Sequence, residues 1–219
     1  MGKEIDLLKN YPKTKRNLDE RSAGTTLEVR KIARKFDKDF FDGDRKYGYG
    51  GFSYNPRFWT EVVKDFVKYY KLKNNSKILD IGCGKGFMIY DFKILNPTFK
   101  TTGIDLSEYA VNNSKKEIKK DLFVGNAKSL PFDDNFFDLV ISINSIHNLG
   151  KRECGMALTE IERVTKKNSF ITVDAFRNIR EKERMMKWNL TAKTILSVKD
   201  WKEFFKKNKF SGDYYWFTP

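Results

Sequence analysis

The chain has 219 residues, 40% of them hydrophobic, and a formal net charge of +14. That length and apolar content fit one domain of ~100–200 residues with terminal additions and a real core. No apolar run approaches the ~18 residues of a membrane span, and the charged N-terminus (Lys3, Glu4, Asp6, Lys9, Lys13) lacks the apolar centre of a signal peptide.

Cys83 and Cys154 offer neither a disulfide framework nor metal-ligand spacing, so a cytoplasmic, metal-free protein is expected. The positive charge is mostly lysine and is scattered from end to end, which reads as solvated surface. Specific nucleic-acid binding is kept as the less favoured alternative.

Residues 1–40 are charged, with sparse apolar positions. A helix is expected over Thr26–Phe40, and the first twenty or so residues are expected to be loose. Phe40–Tyr54 is rich in glycine and aromatic rings and cannot be a regular helix. Two readings stay open: a loop pinned by its rings, or a mobile cover with glycine hinges over Tyr47–Tyr54. Asn55-Pro56 then opens a helix to about Leu72, with Phe58, Val62, Phe66 and Tyr69 spaced to meet a sheet.

Lys77–Phe87 is the stretch around which the chain is organised. Ile78, Leu79 and Ile81 read as a buried parallel strand, and Phe87–Leu95 as a helix. Gly82, Gly84 and Gly86 between them allow a sharp bend and close approach of a ligand to a helix N-terminus. The spacing is not the G-x-G-x-x-G of nicotinamide cofactors.

A second strand over Phe99–Ile104 ends at Asp105-Leu106-Ser107. Asp105 lies near the ~20-residue offset at which a carboxylate grips ribose hydroxyls; its other reading is a cap on the helix that starts at Ser107. A helix is expected over Tyr109–Lys119, a third strand over Leu122–Val124, and a fourth over Phe136–Asn144. His147, the only histidine, follows that strand, where an imidazole could take a proton near neutral pH; the alternative is a structural histidine.

Glu153–Val164 is an amphipathic helix, Lys166-Lys167-Asn168 a turn, and Ser169–Val173 the fifth strand, with Asp174 at its mouth. Helices over Arg177–Trp188 and Lys199–Lys207 flank an ambiguous segment, and Tyr214–Phe217 is a final strand.

Asp80-x-Gly82-x-Gly84-x-Gly86 resembles motif I of the class I S-adenosylmethionine-dependent methyltransferases. Asn126-Ala127 resembles the segment that meets the adenine, with an amide where an acidic residue is common. The fourth strand and its trailing residues resemble motif IV of small-molecule members. The Asn-Pro-Pro-Tyr-like tetrapeptide of amino-group methyltransferases acting on nucleic acid or protein is absent.

The resemblance implies an α/β, doubly wound, mostly parallel sheet of Rossmann-like methyltransferase type with a helical N-terminal extension. Residues 1–60 would hold the extension and candidate lid, and residues 61–219 the catalytic domain. The implied activity is methyl transfer from S-adenosyl-L-methionine to a small-molecule acceptor. RNA- or protein-directed transfer, and cofactor binding without catalysis, are the alternatives.

The implied cofactor contacts are Asp80, Gly82, Cys83, Gly84, Gly86, Asp105, Leu106, Asn126, Ala127, Ser142 and Asn144, with Tyr47 from the aromatic segment. His147 is the candidate base and Asp174 its reserve. The family's sheet usually closes with two strands after the fifth helix, one of them antiparallel. Only one is evident here, so a shortened sheet or an early stop is expected.

Overall fold

The computed structural model describes residues 2–13, 17–50 and 53–219. Its strands are β1 (Lys77–Ile81), β2 (Lys100–Asp105), β3 (Leu122–Val124), β4 (Phe137–Ile143), β5 (Thr165–Phe176), β6 (Leu196–Ser197) and β7 (Asp213–Phe217). They form one sheet in the order β3-β2-β1-β4-β5, and β7 and β6 pair in succession along the outer edge of β5. Every pairing between these strands is parallel. The direction of winding reverses between β1 and β4, so a crevice opens beyond their carboxyl ends.

Alternation along the strands supplies both faces of the sheet. Leu79, Ile81, Val140, Ile171 and Val173 face α7 (Lys151–Val164) and α9 (Val198–Lys207), where Leu158, Ile161, Trp201 and Phe205 are fully buried. Ile78, Leu139, Ile141 and Phe170 face α4 (Pro56–Tyr70) and α5 (Phe87–Leu95) through Val62, Phe66, Met88 and Phe92. The expected α4 forms with Asn55 as N-cap and Pro56 in its first turn.

The N-terminal extension is helical: α1 (Leu18–Gly24), α2 (Leu27–Ala33) and α3 (Lys38–Asp42). The single helix expected over Thr26–Phe40 is broken because Phe36 takes a left-handed backbone and Asp37 caps a new start. Beyond β2, the expected long helix shrinks to α6 (Glu108–Asn112) and a 3-10 turn over Lys116–Asp121. Asn113 caps the shortened helix there, its Nδ2 donating to Tyr109 O at 2.8 Å. The last long helix before β6 is α8 (Ile179–Trp188).

Three expectations need correction. Residues 2–13 are not loose: Tyr214 donates its N–H to Lys3 O and Ile5 donates to Tyr214 O, each at 3.0 Å, so the segment covers the edge of β7. Leu7 is buried with the α4 layer, and the Tyr11 ring lies edge-on to Trp59 at 5.0 Å. Lys166-Lys167-Asn168 is strand rather than turn, because β5 runs twelve residues and pairs with β4 from Thr165 onward. Two strands, β6 and β7, follow β5 where only one was expected, so the sheet is not shortened; both are parallel to β5, and no described strand is antiparallel.

Leu7→Ala should therefore lower the unfolding free energy by about 2–5 kcal/mol, the cost of a buried leucine truncation. Urea denaturation is the measurement; a change below about 0.5 kcal/mol would mean that the N-terminal segment is only loosely attached.

Candidate active site

β1 ends in a bend made by three glycines with left-handed backbone, Gly82 (φ +78), Gly84 (φ +54) and Gly86 (φ +73). The Gly82 and Cys83 N–H groups donate to Ile104 O at 2.7 and 3.2 Å, which ties the bend to β2. Asp105 closes it: Oδ2 accepts from Gly84 N at 2.7 Å and Oδ1 from Ser107 N at 2.8 Å. Ser107 is itself the N-cap of α6, so the two readings of Asp105 meet, since it braces both the glycine turn and the helix start. Gly86 caps α5 with no side-chain bond, which leaves first-turn N–H groups for a ligand.

A Cβ on Gly82 would lie 1.9 Å from Ser145 Oγ, and one on Gly84 would lie 3.2 Å from the Phe41 ring. Phe41 belongs to α3, which is clamped over the turn. Asp42 pairs with Lys85 Nζ at 2.5 Å and accepts from the Tyr109 hydroxyl at 2.8 Å. Sequence reading marked the Phe40–Tyr54 stretch but centred the cover on Tyr47–Tyr54, and missed Phe41, Asp42, Lys85 and Ser145. An apolar ring and a carboxylate side by side in a glycine-rich segment were the available signal.

Tyr47 instead packs beside Val29, Ala33 and Leu190. Tyr49 is held by N–H groups of Leu190 and Thr191 at 2.9 and 3.3 Å, and Tyr54 donates to Asp91 at 2.5 Å. Gly51 and Phe52, within the expected cover, lie outside the described residues.

Burial sets the electrostatics. Asp80 lies in β1 beneath the glycines. Loss of water and then the neighbouring Asp105 push its carboxyl up to about 8, so it is largely protonated at neutral pH. Asp105 is also raised by burial, against the opposing hydrogen bonds from Ser107 and Gly84. Burial pushes the Cys83 thiol well up, keeping it neutral. Leu106 is exposed beside Asp105, and Asn126 Oδ1 accepts from Lys128 N at 3.1 Å. Ala127 packs against the core.

At the end of β4, the fully buried Ser142 donates to Ile81 O at 3.1 Å, so its hydroxyl braces β1. Asn144 has a left-handed backbone, and its Oδ1 accepts from Thr172 Oγ1 at 2.9 Å.

His147 and Asp174 meet. His147 Nδ1 accepts from Asp174 N at 3.2 Å, so the imidazole proton sits on Nε2, which faces Asp174 Oδ1 at 3.6 Å. Both side chains are buried. Loss of water lowers the His147 pKa against the pull of Asp174, and raises that of Asp174 against the pull of His147. Asp174 sits inside β5 rather than past its end.

A family profile described as a methyltransferase domain matches residues 72–209. The ribosomal protein L11 methyltransferase of Thermotoga neapolitana is 31% identical over 139 residues, 60% of this chain and 50% of that protein. The demethylmenaquinone methyltransferase of Symbiobacterium thermophilum is 30% identical over 154 residues, 65% of this chain and 59% of that protein. The chain thus spans about half to three-fifths of these relatives' length.

Among solved structures, a SAM-dependent methyltransferase from Methanosarcina mazei superposes with a TM-score of 0.52 at 20% identity, covering 65% of this chain and 82% of that one. The [4+2]-cyclase SpnF superposes at 0.56 with 22% identity, covering 68% and 57%. These two likenesses speak to fold alone.

Asp80 gives a test by titration. Its folded-state pKa lies above the unfolded value, so between about pH 4 and 8 the native state holds a proton that the unfolded chain has lost. Its contribution to stability then falls as pH rises. Asp80→Asn should gain on the wild type across that window by up to about 1.4 kcal/mol per pH unit, and level off above about 8. Urea unfolding of both proteins at several pH values measures the difference; a constant offset would mean that Asp80 is not held protonated.

Proposed function

Since the chain belongs to the class I S-adenosylmethionine-dependent methyltransferase family, we propose that it moves a methyl group from S-adenosyl-L-methionine to a small-molecule acceptor. The observation that carries this is the left-handed glycine turn between β1 and α5, fastened to Asp105 at the end of β2. The residues fit the cofactor. The glycines add no side chain of their own beside Ser145 and Phe41, α5 offers free N–H groups, and the acidic floor suits a cationic ligand.

Gly82, Cys83, Gly84 and Gly86 would hold the methionyl part, with Asp80 below its ammonium group. Asp105 would take the ribose hydroxyls on lone pairs not used by Gly84 and Ser107, Leu106 would lie against the adenine, and Asn126 would pair with its edge. When bound, the cofactor supplies an activated methyl on a sulfonium; the protein's task is alignment and exclusion of water.

His147 and Asp174 divide the proton handling. With the His147 Nδ1 lone pair spent on a backbone N–H, the carboxylate of Asp174 is the group to accept a proton from the acceptor's nucleophile. His147 presents its Nε2–H toward that carboxylate at 3.6 Å. The depth of this pair supports a small acceptor over a protein or RNA, and a mobility shift across a salt series would detect the latter. The short segment of α3 with Phe41 and Asp42 serves as the cover.

Two outcomes follow from this reading. Calorimetry at pH 7 in buffers of different ionisation enthalpy should show S-adenosylhomocysteine binding with release of up to one proton, as the ammonium group ionises Asp80. Gly84→Val should abolish binding, and Asp105→Ala should weaken it by about 1.5–3 kcal/mol per lost charged hydrogen bond. In the same samples, amide exchange of residues 38–42 should slow on binding. Unchanged affinity in both variants would remove the site from this turn.

Once a labelled-cofactor screen has found an acceptor, Asp174→Asn should cut turnover by ~10²–10⁴-fold with little change in cofactor affinity. The wild-type rate should fall at low pH as the raised Asp174 carboxyl becomes protonated. His147→Gln should lose less than Asp174→Asn, and the reverse order would make the histidine the base.

A further inference from the structure

The N-terminal extension brings arginines together without carboxylates to meet them. Arg21 of α1 lies against a pair of touching rings, its guanidinium carbon 5.0 Å from the centre of Tyr49 and 5.1 Å from that of Trp188, with the two ring centres 5.2 Å apart. Nη1 donates to Gly48 O at 3.1 Å and the Tyr49 hydroxyl lies nearby, while Nε and Nη2 are buried with no well-formed hydrogen bond among the described residues. Arg45 and Arg30 stand near enough to add to the repulsion on Arg21, and Arg34 does the same to Arg30.

Among the described residues none of these four arginines forms an ion pair. Elsewhere Arg163 and Arg177 are matched by Glu160, Asp134, Glu181 and Glu4. Ring stacking accounts for where the Arg21 guanidinium lies. It does not account for two buried N–H groups left unspent, or for like charges gathered around them, both of which cost stability.

This cluster borders the proposed chemistry through one segment. Residues 190–191 donate their N–H groups to the Tyr49 hydroxyl, and Lys193 and Thr194 donate theirs to His147 O at 3.1 and 2.9 Å. Arg34 fastens the middle of the same segment by donating to Thr191 O and Ala192 O. Asp174 is close enough to Tyr49 to disfavour its ionisation. Tyr49 therefore links the arginines to the His147–Asp174 pair.

We propose that Arg21, Arg30 and Arg45, arranged around Tyr49, bind an anionic group, a carboxylate or a phosphate, carried by the acceptor. The proposal rests on the methyltransferase reading for the word acceptor, but the anion site itself does not. An anion there would complete the hydrogen bonding of Arg21 and neutralise the repulsion between the arginines. A planar guanidinium with N–H groups unspent offers the fork that carboxylates and phosphates match.

Thermal unfolding of the full chain with sodium phosphate and with sodium acetate, each against sodium chloride at equal ionic strength, tests the site. At least one of the two anions should raise Tm saturably beyond chloride. Stabilisation by phosphate alone, acetate alone or both tells which group is accepted. The half-saturating concentration should rise at least tenfold in Arg30→Gln and in the exposed Arg45→Gln, and stay the same in Lys120→Gln, which removes a charge elsewhere. Arg21→Gln should lose the effect where it folds, and the other two variants decide the matter where it does not.

No stabilisation beyond chloride, or equal half-saturation in all variants, would overturn the proposal. S-adenosylhomocysteine calorimetry on the wild type, run in parallel, keeps the two questions apart. Failure there would sink the methyltransferase reading and leave the anion result standing.

Discussion

Everything at the candidate site depends on how β1 is allowed to end. A buried parallel strand that leads into a helix must turn within a few residues while its backbone polar groups stay bonded. Here two successive N–H groups share Ile104 O, a third goes to the Asp105 carboxylate, and left-handed backbone at three glycines makes that arrangement possible. Side chains at these positions would strike Ser145, Phe41, or Ile118 and Leu122. The same bend aims the start of α5 into the crevice and sets Asp80 beneath it. The site is thus a consequence of terminating one strand, and its neighbours β2 and β4 contribute through what they attach to that terminus.

Much of this was legible in the sequence because local patterns and the fold agree. Apolar runs bounded by turn residues gave β1, β3 and β4 nearly to the residue, and Asn55-Pro56 gave the start of α4. Asp105 was found by its offset from the glycines, and the structure places it against Gly84.

What escaped notice was long-range. Nothing local says that Thr165 and Asn168 pair with β4 across a bulge at Lys166-Lys167, that Lys3 to Ile5 lie along β7, or that β7 runs parallel to β5. Phe36 breaks a helix that its neighbours would support, through a backbone conformation that its side chain does not favour. The pairing of His147 with Asp174 joins residues far apart in sequence, and only the parallel alignment of β4 and β5 brings them together.

The global charge proved less informative than its local inversions. The chain is strongly basic, yet the crevice floor carries Asp80, Asp105 and Asp174, all with carboxyl pKa values raised by burial. Such a floor is costly in isolation, because each acid must give up water or hold a proton. A cationic cofactor would relieve that cost on the glycine side. Around Tyr49 the sign reverses, and arginines collect without counter-ions among the described residues.

Buried carboxyls and gathered guanidiniums without partners are a poor arrangement for stability alone. Ligands of opposite charge would relieve both. Methyl transfer from a sulfonium discharges the cofactor as the bond forms, so an acidic floor would favour holding the charged form and letting the neutral product go. The arginines would hold an anionic acceptor without competing for the acidic floor. Under that proposal the same groups that cost stability in the free protein would align the two reactants.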